Sequence, residues 1–162
     1  MFKIKKNILK KDKIKEINNI ILNEQFPWYV QKKINPIDKT GYGYFTHSLY
    51  LDNKINSLFY EMIMPEIIKS LNIKSLIRAR LNLYPKTSKT VKHAYHIDYE
   101  FKHISAVYFL NTNNGFLFFK NPLKKVKPEN NKCVIFDGNH FHCSSSCTDK
   151  SHRITLNLNY EF

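Results

Sequence analysis

Six short segments in the second half of the chain constrain its fold more than any other feature. Each segment is apolar or alternates between apolar and polar residues, and each is bounded by turn-forming residues. The segments are 76–84, 94–101, 104–111, 115–120, 132–138 and 152–162. Segments this short predict β-strands rather than long helices. Many short strands in succession are typical of a sandwich or small barrel, which we therefore predict for this half.

The first half of the chain has a different pattern. Apolar residues recur at roughly helical spacing in 8–23 and again in 55–72, where Pro65 predicts a kink or a restart. Helices followed by short strands predict an α+β chain. With 162 residues the chain has the length of one domain. We expect about 1–75 to be mainly helical support and about 76–162 to be the β-barrel core.

The last predicted strand alternates strictly between two kinds of residue. Its apolar residues fall on one face and its polar residues on the other: Ile154, Leu156, Leu158 and Tyr160 against Arg153, Thr155, Asn157 and Asn159. The polar face would be wet if the sheet were exposed, and it would line a pocket if a second sheet covered it. Both interpretations fit the alternation.

The chain is strongly basic, with 26 Lys and Arg residues, 13 Asp and Glu residues and a formal net charge of +13. A basic surface attracts nucleic acid. Only three of the 26 basic residues are Arg, however, whereas base and phosphate recognition favours the Arg fork. Seven Lys residues lie within the first fifteen positions. We interpret this charge as a solvated lysine-rich surface, which argues against a nucleic-acid partner, and we expect the first few residues to be dispensable for chemistry.

Membrane and secretion signals are absent from the sequence. The longest apolar runs, such as "ISAVYFL", are too short to span a bilayer. Charges interrupt the apolar residues of the N-terminal segment, so it has no signal-peptide core. Three Cys residues without framework spacing fit a reducing compartment. We expect a cytoplasmic protein without a membrane partner, and no feature predicts an oligomeric state.

A His-x-Asp triplet, His96-Ile97-Asp98, lies in the second predicted strand. Residues i and i+2 of a strand point to the same side, so His96 and Asp98 can reach one metal ion. A second His would complete a face of two imidazoles and one carboxylate, which leaves coordination positions open and suits iron(II). The loop after 132–138 offers His140 and His142 for this third ligand.

These residues resemble the motif of the iron(II)- and 2-oxoglutarate-dependent dioxygenases. In that family His-x-Asp/Glu is followed by a distal His and, about ten residues later, by Arg or Lys. Here His142 lies 44 residues after Asp98, and Arg153 lies eleven residues beyond it. "NLYP", "YFLNTNNG" and "VIFDGNHFH" resemble segments of the prolyl-4-hydroxylase-like branch, and "FPWYV" and "YFTHSLY" resemble small bacterial and phage members. The resemblance covers nearly the whole chain.

The resemblance implies a fold and a metal site. The fold is a double-stranded β-helix (jelly roll) in the second half, with the N-terminal helices packed on it. The metal is iron(II), held by His96, Asp98 and His142. His142 is preferred to His140 because it fits the FDGxxxH pattern of the family, although both side chains would point to the same side of an extended segment.

The resemblance also implies a site for 2-oxoglutarate. Arg153 would bind the far carboxylate of this cosubstrate with its planar fork. Thr155 resembles the hydroxyl partner in an Arg-x-Ser pattern, and Tyr84 and Asn82 are further candidates on one side of a strand. Relatives often have Tyr-Tyr before Leu-Asn, whereas this chain has Phe109 in the second position. If that position faces the cosubstrate, a hydroxyl is missing here.

The implied activity is hydroxylation of an organic substrate with O2 and 2-oxoglutarate, releasing succinate and CO2, with ascorbate as a supporting reductant. The branch favours a peptidyl or prolyl-type hydroxylase, whose substrate is a peptide, a protein or a small molecule. Three alternatives stay open. The first is a nucleic-acid demethylase of the same superfamily, although such enzymes usually have a second Arg where this chain has Asn159. The second is a non-catalytic cupin-like metal-binding module. The third is a structural zinc site formed by His142, Cys143 and Cys147 with His140.

Overall fold

The computed structural model of the protein describes residues 1–33, 37 and 39–161. The helices and strands in these ranges are, in chain order, β1 (Phe2–Lys6), α1 (Lys11–Ile21), β2 (Tyr29–Gln31), β3 (Tyr44–Leu51), β4 (Lys54–Ile55), α2 (Tyr60–Leu71), β5 (Leu76–Pro85), β6 (Ile104–Phe109), β7 (Leu117–Phe119), β8 (Lys124–Val126), β9 (Lys132–Asp137), β10 (His142–Ser144) and β11 (His152–Tyr160). No helix within these ranges is long and apolar enough to cross a membrane.

The strands form two antiparallel sheets. The major sheet has the order β1-β9-β6-β11-β5-β3-β2, with β4 beside β3, and the minor sheet has the order β10-β7-β8. β11 lies between β6 and β5, so the last strand of the chain is central in the major sheet. The strands β6, β7, β9 and β11 fall within segments that the sequence predicts as strands, and β5 extends one residue beyond its predicted segment.

One face of the major sheet and both helices share a single hydrophobic cluster. Ile17 of α1 and Ile63 of α2 belong to it together with Leu156 and Leu158 of β11, and all four side chains are fully buried. Burying one such side chain contributes roughly 1.5–3 kcal/mol. This cluster therefore accounts for the apolar half of the alternation in β11.

A second hydrophobic cluster lies between the two sheets. Val107 and Phe109 of β6 and Phe136 of β9 contact Leu117 and Phe119 of the minor sheet. Because successive strand residues point to opposite faces, β6 contributes to both clusters, and all six of its residues are buried. The inner cluster occupies only part of the space between the sheets.

The polar faces of β11 and β5 line the rest of that space. Arg153 and Asn159 of β11 are at most 1% exposed, so the polar face of this strand is buried and not wet. β5 runs antiparallel beside it and pairs Tyr84 with Arg153 and Arg78 with Asn159. The two strands therefore place two rows of polar side chains between the sheets.

The predicted strand at 94–101 does not form. Residue His96 makes only an isolated antiparallel bridge, to His142. Asp98 and its neighbours are irregular. The prediction of a regular strand was wrong, because this segment makes only an isolated bridge to β10 and joins no sheet ladder.

The described residues among the first 75 form four strands, β1 to β4, in addition to the two helices. The helix predicted over 8–23 begins only at Lys11, because Asn131 hydrogen-bonds both backbone groups of Leu9 at 3.0 and 2.8 Å. The helix predicted over 55–72 covers Tyr60–Leu71 and continues through Pro65 without a restart. Burial of Ile63 and Ile67 on either side of the proline favours this continuity.

Candidate active site

The candidate metal ligands His96, Asp98 and His142 lie together. One ligand atom from each residue falls within 4.8 Å of the other two. Two backbone hydrogen bonds between His96 and His142, of 2.9 and 3.0 Å, join the irregular segment before β6 to the first residue of β10. Among the described residues this is the cluster of His, Cys, Asp and Glu side chains that could hold a metal ion.

In both imidazoles a backbone carbonyl lies next to Nδ1, so Nε2 is the nitrogen that is available to a metal. Nδ1 of His142 lies 3.0 Å from the carbonyl oxygen of His140, and Nδ1 of His96 lies 3.4 Å from that of Ala94. A carbonyl only accepts, so each Nδ1 carries the proton and each Nε2 presents a lone pair. Burial lowers the pKa of His142 to about 4, although Asp98 opposes the shift. His142 is therefore neutral at pH 7.

Both carboxylate oxygens of Asp98 have partners besides the metal site. Oδ1 forms an ion pair with Arg78 at 2.7 Å, and Oδ2 accepts hydrogen bonds from Asn159 at 2.9 Å and Ser105 at 3.4 Å. Burial by itself would raise the pKa of Asp98, but Arg78, followed by His142 and the Asn159 amide, holds this pKa well below its ordinary value. The ligand is thus ionised and held in one orientation.

A cavity adjoins the metal ligands, and we call it the inter-sheet cavity. Its lining residues are Tyr44, Arg80, Tyr84, His96, Val107, Leu117, His142, Ser144, Arg153, Thr155 and Asn157. One face of the metal site therefore opens onto a chamber lined by hydroxyls, amides and two guanidiniums.

Arg153 carries its charge into this cavity. Its side chain is 1% exposed, and none of its three guanidinium nitrogens has a hydrogen-bond partner among the described residues. The guanidinium carbon lies 5.1 Å from the ring centroid of Tyr84 and 5.8 Å from that of Phe109. Burial lowers the pKa of Arg153, with Tyr84 and Cys147 opposing. The two aromatic rings compensate only part of the cost of burying this charge, so the site favours an anion beside Arg153.

The residues around Arg153 fit the same conclusion. A Cβ on Gly115 would lie 2.9 Å from Cδ of Arg153, so only glycine leaves the guanidinium its space. Phe109 does face the cavity side, as its contact with Arg153 requires, and the hydroxyl of Tyr108 points away to Asn131 at 2.8 Å. The departure from Tyr-Tyr therefore removes a hydroxyl next to Arg153.

Of the other residues predicted to bind the cosubstrate, two line the cavity and one does not. Tyr84 and Thr155 line the cavity, and the Tyr84 ring stacks on Tyr44 at 5.2 Å. Asn82 is fully buried but does not line the cavity; its Nδ2 lies 3.5 Å from Oγ1 of Thr155. Its Oδ1 has no partner among the described residues. Asn82 therefore sits behind Thr155.

The structure separates His142 from the residues of the zinc alternative. His140 lines a different pocket, with Phe2, Phe119 and Pro122. Cys143 and Cys147 are buried and do not join a metal cluster in the described ranges. Burial raises the pKa of the Cys143 thiol to about 11, so this thiol is not poised to ligate. The structural zinc site is not formed.

The sequence interpretation missed several residues of the site, above all Arg78 and Arg80. Both share their side of β5 with Asn82 and Tyr84, so the alternation that singled out those two residues also pointed to the arginines. No sequence signal identified Ser105 or the stacking of Tyr44 on Tyr84, since both depend on contacts between distant strands.

Comparisons with known proteins bear on the fold. No family model matches the sequence, and no curated protein matches it significantly. Solved structures do match. A 2OG-Fe(II) oxygenase family oxidoreductase from Burkholderia pseudomallei superposes with a TM-score of 0.75 and 12% identity, over 99% of this chain and 85% of that one. The protein has the fold of the 2OG-Fe(II) oxygenases.

Two further structures agree with this fold. A prolyl hydroxylase from Trichoplax adhaerens, in complex with a hypoxia-inducible-factor peptide, has a TM-score of 0.67 and 16% identity, over 99% of this chain and 83% of that one. A non-heme α-ketoglutarate-dependent epimerase from nogalamycin biosynthesis has a TM-score of 0.70 and 12% identity, over 99% and 76%. At such identities the likeness concerns the jelly-roll fold alone, and any function has to rest on the site.

Proposed function

We propose that the protein is an iron(II)- and 2-oxoglutarate-dependent dioxygenase whose single domain spans 1–162. The observation that carries the proposal is the pairing of His96, Asp98 and His142 with the partnerless guanidinium of Arg153 around one cavity. A metal-binding module without a cosubstrate has no use for that buried cation. An oxygenase requires both parts.

The donor set fits iron(II). Two neutral imidazoles and a carboxylate suit this ion and leave coordination positions for a chelating keto acid and O2. When bound, iron with 2-oxoglutarate supplies the oxidising chemistry, in which R–H, O2 and 2-oxoglutarate become R–OH, succinate and CO2. The backbone carbonyls of His140 and Ala94 hold the imidazoles in the ligating tautomer.

The remaining residues would bind and orient 2-oxoglutarate. Arg153 would offer two parallel charge-assisted hydrogen bonds to its distal carboxylate. Thr155 and Tyr84 lie beside Arg153 on β11 and β5 and would donate their hydroxyls. The apolar cluster of Val107, Leu117 and its neighbours lies on the other side of the cavity and would keep bulk water away from bound iron.

The reaction that we favour is hydroxylation. The sequence resemblance favours a peptidyl or prolyl-type substrate, and one structure with this fold is a prolyl hydroxylase bound to a peptide. Another is an epimerase, so the fate of the substrate C–H belongs to the proposal and has to be measured.

The proposal is tested by adding 2-oxoglutarate to the protein loaded with Fe(II) under anaerobic conditions. We expect the charge-transfer absorbance of the chelate, and succinate formation once O2 is admitted. Asp98→Ala should lose both signals, whereas His152→Ala, a half-buried His outside the cavity, should keep them. A wild-type protein that binds metal but forms no chelate would refute the proposal.

A further inference from the structure

The three arginines of the chain all lie on the inner faces of β5 and β11. Arg78, Arg80 and Arg153 are the only Arg residues among 26 basic ones, and the other 23 are Lys. Arg78 forms its ion pair with Asp98. Arg153 is assigned above to the distal carboxylate of 2-oxoglutarate. Arg80 has no function in that assignment.

Arg80 nevertheless lines the inter-sheet cavity. It is half-buried, and its Nε is buried without a hydrogen-bond partner among the described residues. No carboxylate in the described part of the chain forms an ion pair with it. Its neighbours across the sheet are neutral, namely Asn157 on β11 and Ser48 on β3. The cavity therefore holds a second cation that no described residue neutralises.

The charge balance shows that the metal and the cosubstrate do not remove this excess. Three guanidiniums against the single carboxylate of Asp98 leave two positive charges on the described inner face. A divalent ion and a 2-oxoglutarate dianion together add no net charge. A partly buried pocket that keeps net positive charge after both have bound favours one more anion.

We infer, resting on the proposed function, that the substrate presents a carboxylate to Arg80. The planar fork of a guanidinium matches a carboxylate with two parallel hydrogen bonds. Arg80 stands between Arg78 at the metal carboxylate and Tyr84 at the cosubstrate end, two residues from Arg78 and four from Tyr84 on one face of β5. The bound carboxylate would then lie near the metal ligands that line the same cavity, as in a free amino acid or a related small organic acid, and this substrate class replaces the peptidyl substrate that the sequence resemblance favours.

The approach to the cavity is compatible with an anion. A second, more open pocket adjoins it at Tyr84, and its lining includes Lys86 and His93 but no acidic residue. The ring of His93 lies 5.5 Å from that of Tyr84. The lining of this neighbouring pocket therefore offers no negative charge that would repel an anion.

The test compares acids with their neutral counterparts. The anaerobic protein with Fe(II) and 2-oxoglutarate is titrated with the common free L-amino acids, with their C-terminal amides, and with end-capped tripeptides that have a central Pro, Asp or Glu. Perturbation of the chelate absorbance reports binding, and succinate formation reports turnover. We expect a free acid to bind at least about tenfold more tightly than its amide. If a capped Asp or Glu peptide binds tightly and the free acids do not, the carboxylate that Arg80 binds belongs to a peptide side chain.

Variants assign the effect to Arg80. Arg80→Gln should weaken the effective acid at least about tenfold, with its amide little changed, and the Kd of 2-oxoglutarate should stay within about threefold of the wild type. Arg80→Lys should keep part of the preference for the acid over its amide. This variant replaces Arg80→Gln in the test if Arg80→Gln folds poorly. Lys54→Gln removes an exposed charge of the same sign from β4 and should change nothing.

Three results would overturn the inference. The first is binding of acid and amide with equal affinity, or of no acid at all. The second is turnover confined to the capped Pro peptide. The third is an Arg80→Gln variant that loses 2-oxoglutarate affinity as strongly as an Arg153 variant, which would make Arg80 a cosubstrate residue. A wild-type protein that forms no 2-oxoglutarate chelate would instead refute the proposed function itself.

Discussion

Arg153 is buried with no hydrogen-bond partner among the described residues, and this environment determines what its substitution should do. Arg153→Leu removes the charge-assisted hydrogen bonds to the distal carboxylate, worth about 3 kcal/mol. We expect the Kd of 2-oxoglutarate to rise roughly a hundredfold, with Arg153→Lys intermediate because the charge stays and the fork is lost. Anaerobic titration of the Fe(II)-loaded variants measures this.

The matched control for this prediction is Lys150→Leu, which removes an exposed cation from the loop before β11. It should leave the Kd of 2-oxoglutarate unchanged. Metal affinity should be nearly the same in all these variants, because Arg153 touches none of the three ligands. Wild-type affinity for 2-oxoglutarate in Arg153→Leu would refute the cosubstrate role.

The choice of His142 over His140 is a second prediction at the scale of single residues. His142 points Nε2 into the metal cluster, whereas His140 lines a pocket with Phe2 and Phe119. His142→Ala should therefore abolish Mn(II) binding, and His140→Ala should leave its Kd within a few-fold of the wild type. Calorimetric titration of both variants decides the matter; loss of binding in His140→Ala alone would reverse the assignment.

At the scale of elements, β1 changes an expectation drawn from the sequence. The sequence analysis predicts that the first few residues are dispensable for chemistry, which remains a prediction, but Phe2–Lys6 pairs with β9 over five residues and so contributes to the fold. The Phe2 ring also packs against Phe119, which packs against Phe136, and Phe136 contacts the His142 ring at 4.9 Å. The strand therefore supports the distal metal ligand even though its lysine side chains are exposed.

Deleting residues 1–6 should consequently destabilise the protein. Loss of the ladder and of the Phe2 contact would cost about 3 kcal/mol, which lowers Tm by roughly 6–12 °C for a domain of this size. The double variant Lys3→Gln, Lys5→Gln keeps the strand and removes two charges, so its Tm should stay near that of the wild type. Equal Tm values for the deletion and the wild type would show that β1 contributes nothing.

β5 and β11 show how far the sequence predicts elements and where it stops. Strict alternation in β11 predicted its two faces correctly, because a buried strand with one polar face leaves a period of two in the sequence. β1 and β3 were missed for opposite reasons. β1 is an edge strand whose lysines leave no apolar pattern of a strand in the sequence. β3 is largely buried, but its inward polar residues, such as Thr46 and Ser48, interrupt the apolar pattern that would predict a buried strand.

The candidate site was predictable only in part for a related reason. Local spacing identified His96, Asp98, His142 and Arg153, since the family motif is a pattern in sequence. Arg78 and Asn159 meet Asp98 only through the register of β5 and β11, which no local pattern specifies. Contacts that orient a ligand are therefore the part that sequence alone leaves out.

At the scale of the whole molecule, charge is divided between the inside and the outside. The 23 lysines supply most of the positive charge, whereas Arg80 and Arg153 line the inter-sheet cavity and Arg78 pairs with Asp98 beside it. The guanidiniums therefore lie between the sheets and not on an outer surface that would bind phosphates. This distribution favours the interpretation of the basic charge as a solvated surface.

Ligand binding should stabilise the whole fold through the metal site. His96 and Asp98 lie in the irregular segment between β5 and β6, and His142 begins β10 of the minor sheet, so one ion would add a further connection to the backbone hydrogen bonds that already join these parts. A ligand that binds only the folded state at a hundred times its Kd contributes about 2.7 kcal/mol. For a domain of this size that raises Tm by roughly 5–11 °C.

We therefore expect Mn(II), used because it resists oxidation, to raise Tm by this amount, and 2-oxoglutarate to add a further rise only when the metal is present. Asp98→Ala should lose both increases in Tm. The metal loses its carboxylate ligand, and 2-oxoglutarate then has no bound metal to chelate. Arg153→Leu should keep the first and lose most of the second, which separates the two binding steps within one measurement. Thermal unfolding of the three proteins with and without each ligand provides the data. A full metal increment in Asp98→Ala would place the ion elsewhere, for instance at the buried thiols, and would contradict the assigned centre.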